Sequence, residues 1–80
     1  MMPGIDIIWT DENEAHIVDG GVSVTDVEHV IRNSVGGGVS RSSGRPFVVG
    51  YTSDGRKVLV VYEEIDALTV YPITAYPLED

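Results

Sequence analysis

Cationic side chains are scarce in this sequence, and four of the five fall in one stretch: Arg41, Arg45, Arg56 and Lys57, with Arg32 outside it. Guanidinium donates paired hydrogen bonds to phosphate oxygens, so Arg41, Arg56 and Lys57 are the candidate RNA-binding residues. Metal-free cleavage of RNA requires more. It needs a base near the 2′-hydroxyl, an acid near the leaving oxygen, and cations facing the charge that develops on the phosphate. Arg45, with Arg41, is the candidate clamp; Glu63 or His16 is the candidate base and Tyr76 the candidate acid. Against this stands the ordinary condition of surface charge, which is solvation without a catalytic role. Glu63-Glu64-Ile65-Asp66 reads in the same way as a solvated turn.

Other reactive types are few. His16 and His29 are too few, with no suitably spaced carboxylate motif, to define a metal site, so none is expected, and no motif calls for a cofactor. Gly36-Gly37-Gly38 lacks the following lysine of a phosphate loop. Trp9, Phe47, Tyr51, Tyr62, Tyr71 and Tyr76 form either a base-stacking surface or, more simply, the amphipathic rim of a small core. The absence of cysteine excludes a thiol nucleophile and a disulfide framework.

These groups must be positioned by one domain, because 80 residues cannot support two separate cores. Hydrophobic residues make up 42% of the chain, which places it among globular proteins and not disordered tails. Thirteen carboxylates against five cations give a net charge of -8, a balance that disfavours nonspecific attraction to nucleic acid or anionic lipid. The longest apolar run, Val58 to Tyr62, is far short of the ~20 residues of a membrane helix. The acidic N-terminal region lacks a cationic signal start, so a cytoplasmic protein with no membrane association is expected.

The order of elements comes from local signals. Ile5 to Trp9 is β-prone; Thr10 or Asp11 can cap a first helix over about Glu12 to Val18, with Asp11 and Glu14 at capping-box spacing. Gly20-Gly21 stops it. Ser23 and Asp26 start a second helix, with Val22 and Val27 as a hydrophobic staple and Val24, Val27, Val30 and Ile31 as its apolar stripe; Asn33-Ser34 end it. Residues 35 to 45, rich in glycine and serine, are expected to form a mobile loop. Pro46 to Tyr51 and Lys57 to Glu63 form a hairpin about Asp54-Gly55, and Glu64 to Leu68 turns into a last strand over Thr69 to Tyr76. Val58 to Val61, apolar on both faces, suits a central strand, and Pro72 points to an edge or a bulge. The expected fold is α+β: a short N-terminal strand, two helices and a three-stranded antiparallel meander.

That order, with Trp9 before an acidic helix start, Gly21-Val22-Ser23 at the second helix, a Gly50, Gly55, Val60-Val61-Tyr62 hairpin and a closing Ile73-Thr74-Ala75-Tyr76, resembles the BrnT-type toxins of the RelE-like ribonuclease superfamily. The resemblance covers roughly Ile5 to Tyr76. It implies a toxin of a bacterial type II toxin-antitoxin pair, a metal-independent endoribonuclease held by an antitoxin, for instance of the ribbon-helix-helix type. Arg45 matches a family cation at the hairpin entrance. Tyr71 and Tyr76 stand where the family commonly has arginines, and Pro77-Leu78-Glu79-Asp80 replaces its basic C-terminal helix. The resemblance leaves two expectations: a weakened endoribonuclease, or a catalytically silent interaction module on the same fold. A short last strand with a partly exposed edge also allows a homodimer.

Overall fold

The computed structural model describes residues 4–78. In chain order the elements are β1 (Asp6–Ile7), α1 (Asp11–Asp19), α2 (Val24–Arg32), β2 (Gly36–Val39), β3 (Pro46–Tyr51), β4 (Lys57–Asp66) and β5 (Thr69–Pro77). The α+β class and the two helices are as expected, but the sheet is larger than a three-stranded meander. It has five strands in the order β1-β5-β4-β3-β2, all antiparallel except that β1 runs parallel to β5.

Both helices begin at capping boxes. At α2 the expected pair forms: Ser23 accepts from Asp26 N–H, and the Asp26 carboxylate reaches back to Ser23 N–H. At α1 the box is Thr10 with Asn13, not Asp11 with Glu14, and the helix runs one residue further at each end than expected. Tertiary structure makes that choice. The Asn13 Oδ1 accepts from Thr10 N–H at 2.7 Å while its Nδ2 donates to Ile8 O at 2.9 Å and Pro72 O at 3.0 Å. A Glu14 box offers none of the last two bonds, which join the end of β1 and the edge of β5 to the helix start.

The expected loop over residues 35 to 45 is only partly a loop. Gly36–Val39 forms β2, paired with β3 from Gly36↔Val49 to Val39↔Pro46, and only residues 40–45 connect the two strands. Backbone entropy disfavours glycine in a strand, but here a side chain is sterically excluded: a Cβ on Gly37 would lie 2.5 Å from Phe47 O. Glycine lets β2 approach β3 closely enough to satisfy backbone groups that β3 would otherwise leave unpaired.

Elsewhere the strands track the sequence closely. Residues 52–56 connect β3 to β4, with Gly55 at φ +89, and Thr52 N–H donates to Arg56 O. β4 runs on to Asp66, so the second turn is shorter than Glu64 to Leu68, and Asp66 pairs directly with Thr69. β4 is the middle strand, as its apolar run implied. Pro72 lies at a bulge: Val61 pairs with Thr74 and Tyr62 with Pro72, so Ile73 is the extra residue and the missing Pro72 N–H breaks no regular ladder.

The core lies between the helices and one face of the sheet. Ile17, Val27, Val30 and Ile31 from the helices and Val48, Val58, Val60, Val70 and Ala75 from the strands are buried together, with Ile7, Trp9 and Tyr62 packed at the margin. Among the described residues, no helix is long and apolar enough to cross a membrane.

Candidate functional site

Alternation along the strands assigns residues 48, 50, 58, 60 and 75 to the helix side and their neighbours to the opposite face. On that outer face Phe47 pairs with Val61 and Val61 with Thr74, while Val49 pairs with Leu59 and Leu59 with Tyr76. Phe47, Val49, Leu59 and Val61 are half-buried, and Tyr51 and Tyr76 are exposed. The two helices lie on the other side. A Cβ on Gly38 would lie 3.4 Å from Phe47 Cζ, so the Phe47 ring spreads over the glycine of the neighbouring strand and stays open to solvent beyond it. Charge is confined to the margins, with Lys57 at one end of β4 and Glu63 near the other. From strand spacing and rise, the apolar area spans on the order of 300 Å², the scale at which an exposed patch with a polar rim commonly marks a binding surface.

The sequence-derived catalytic residues do not converge on a site. The β3–β4 register, continued past Phe47↔Val61, brings Arg45 across from Glu63 at the end of the sheet that holds Arg41. Tyr76 pairs with Leu59, and Tyr71 with Glu63, so Tyr76 lies five residues along β5 from the position that faces Glu63. At the rise of a strand that is about 17 Å. His16 is exposed on α1, the helix that packs along the outer edge of β5. No pocket is present among the described residues.

The candidate RNA-binding residues divide as well. Arg41 lies in the 40–45 connection and Arg56 and Lys57 at the opposite end of β3 and β4, about 20 Å away by strand rise. Proximity in sequence misleads because a hairpin sends its two connections to opposite ends. Arg56 is also engaged: its Nη2 is 2.8 Å from the Asp26 carboxylate and its Nε 3.3 Å from that of Asp54. It joins the 52–56 turn to the start of α2. Asp54 also accepts from the Thr52 hydroxyl, which with Arg56 holds its carboxyl below the usual range.

Sequence reasoning assigned no part to Asn13 or to the histidine bond that braces α2. Asn13 is 1% exposed with its side-chain bonds satisfied, which makes it a structural bolt. His29 Nδ1 lies 2.8 Å from Tyr51 O, tying the helix to the end of β3. Among the described residues, no group of three or more potential ligands is placed to hold a metal ion. Glu79 and Asp80, part of the departure from the family's basic ending, lie outside the described residues. No family model, curated protein or solved structure matches this chain.

Proposed function

We propose that this chain is a BrnT-like member of a toxin-antitoxin pair that acts by binding its partner protein over the outer face of its sheet, and not by turning over RNA. The observation that carries the reading is the uncovered apolar face of Phe47, Val49, Leu59 and Val61. A sheet that is apolar on both sides is complete only when both sides are covered, and the chain supplies helices for one. The order of strand, two helices and antiparallel strands supports the likeness to the family. The net charge of -8 favours a partner whose contacting segment is cationic and opposes the approach of RNA.

The test is co-expression with the product of the neighbouring reading frame, followed by co-purification at low and high salt. A stable complex that Leu59→Lys abolishes supports the reading. Retention of the partner by the variant counts against the outer face, and a wild-type complex that does not weaken as salt rises counts against the electrostatic part.

RNA cleavage is the second reading. Its specific support is that the β3–β4 register, continued past Phe47↔Val61, carries Arg45 toward Glu63, with Arg41 in the adjoining connection. Incubation of the purified protein with total RNA decides it. Cleavage that disappears in Arg45→Ala favours the enzyme, and intact RNA throughout removes it.

A further inference from the structure

The two edges of the sheet are finished differently. On the β5 side, β1 covers Thr69 and Val70, and α1 covers the continuation of the strand: Asn13 donates to Pro72 O, and Gly20 packs so close that a Cβ there would lie 2.1 Å from Ala75 O. On the other side β2 is the last strand, and all four of its residues are exposed. Proteins usually blunt such an edge with charge, proline or a covering element. Residues 33–40, Asn-Ser-Val-Gly-Gly-Gly-Val-Ser, contain no charge and no proline.

The phase of the ladder fixes which backbone groups face outward. Ser40 N–H donates to Arg45 O at 2.8 Å, so with the register Gly36↔Val49 and Gly38↔Phe47 the bonded pairs are residues 40, 38 and 36, two apart. Val39 sits opposite Pro46, which has no N–H to offer, in keeping with that phase. Gly37 and Val39 therefore turn their N–H and C=O groups away from β3, toward the open edge. Val35 and Val39, 70% and 65% exposed, flank the edge with apolar surface, and the Phe47 ring is reachable across Gly38 on the outer face.

The sequence around this edge is cationic, unlike the chain as a whole. Between Glu28 and Asp54 the sequence has Arg32, Arg41 and Arg45 and no carboxylate; Arg32 is paired with Glu28 on α2, which leaves Arg41 and Arg45 beside the edge. Continued two residues past Phe47↔Val61, the β3–β4 register brings Glu63, on a strand two inside the edge, across from Arg45.

We infer that β2 receives an extended acidic segment of a partner protein as a sixth strand. Main-chain hydrogen bonds to Gly37 and Val39 hold the segment. An apolar side chain lies over Gly38 against Phe47, and its carboxylates face Arg41 and Arg45. A second copy of this chain is a poorer occupant, because a four-residue edge buries far less than the ~800 Å² per partner of a stable interface. The inference shares only Phe47 with the outer-face reading, rests on the backbone edge of β2, and can survive that reading's failure.

Two labelled ten-residue peptides test it, one alternating glutamate and valine and one alternating lysine and valine, each titrated into the isotopically labelled full chain. The acidic peptide is expected to bind at least ~10-fold more tightly and to shift the amide signals of residues 36–39. Val39→Pro removes an outward donor without a β2–β3 bond and should abolish binding, whereas Val39→Thr should retain it. Should Val39→Pro fail to fold, Arg41→Glu with Arg45→Glu provides the second test and should weaken the acidic peptide by ~10-fold or more. Equal binding of both peptides, no binding, or signal shifts confined to residues 47–61 overturns the inference. So does a wild-type dimer in sedimentation that Val39→Pro dissolves, which would assign the edge to a second copy. Leu59→Lys should leave peptide binding at the edge intact even where it destroys binding at the outer face.

Discussion

The two faces of this sheet are built from the same kinds of residue, yet they have opposite fates. On the inner face Val58 and Val60 are wholly buried beneath Val27, Val30 and Ile31 of α2 and Ile17 of α1. On the outer face Leu59 and Val61, their immediate neighbours in β4, stay half-buried, with Phe47 and Val49 on β3 and Thr74 and Tyr76 on β5 as their cross-strand neighbours. Apolar residue type therefore does not decide burial here. The supply of covering elements does, and two nine-residue helices suffice for one face only. The inner face accounts for folding, and the outer face has no covering element among the described residues.

The comparison breaks most sharply under truncation. Ile31→Ala removes a fully buried side chain and should cost about 2 to 5 kcal/mol, enough to unfold a domain this small, whereas Leu59→Ala should cost much less. Urea titration of both variants checks this, and equal losses would erase the distinction between the faces. Gly20→Ala comes next. Its Cβ would lie 2.1 Å from Ala75 O, so α1 must move off β5, with an expected loss of about 1 to 3 kcal/mol and fast amide exchange along β5. Asn13→Ala leaves the buried Pro72 O without its side-chain donor and should cost roughly 1 to 3 kcal/mol.

The smallest effect is that of pH. The Thr52 hydroxyl bond, aided by Arg56, lowers the Asp54 pKa, and the Leu68 N–H bond, aided by Thr69, lowers that of Asp66. A depressed carboxylate contributes stability that is complete above its ordinary pKa of 3.8 and is lost as pH falls through the lower folded-state value. Both groups are exposed, so thermal melting should show a shallow decline below about pH 4 that Asp54→Asn with Asp66→Asn flattens. A decline centred near neutrality would contradict this assignment.

Much of the inner face was legible in the sequence, because its signals are local. Ser23 with Asp26 and the stripe of Val27, Val30 and Ile31 define α2 without reference to the rest of the chain. Val58 to Val61 likewise declares a central strand. The misses depend on contacts distant in sequence. The box at α1 is Thr10 with Asn13, not Asp11 with Glu14, because Asn13 also reaches Pro72, 59 positions away. Gly36–Val39 is a strand because β3 lies beside it, which no glycine-rich segment announces by itself. The candidate site fared worse for the same reason: Arg41 and Arg56 fall in one stretch of sequence but belong to opposite ends of a hairpin, and only the continued register relates Arg45 to Glu63.

The central claim is that the outer face is covered by a partner protein, and site-specific photo-crosslinking in living cells tests it most directly. A photoreactive phenylalanine analogue placed at Leu59 on the outer face, and separately at exposed Glu12 on α1, reports what each position touches. The account predicts one discrete protein adduct from position 59 that Val61→Glu suppresses, and none from position 12. Adducts to RNA from position 59, or the same protein adduct from both positions, would contradict it.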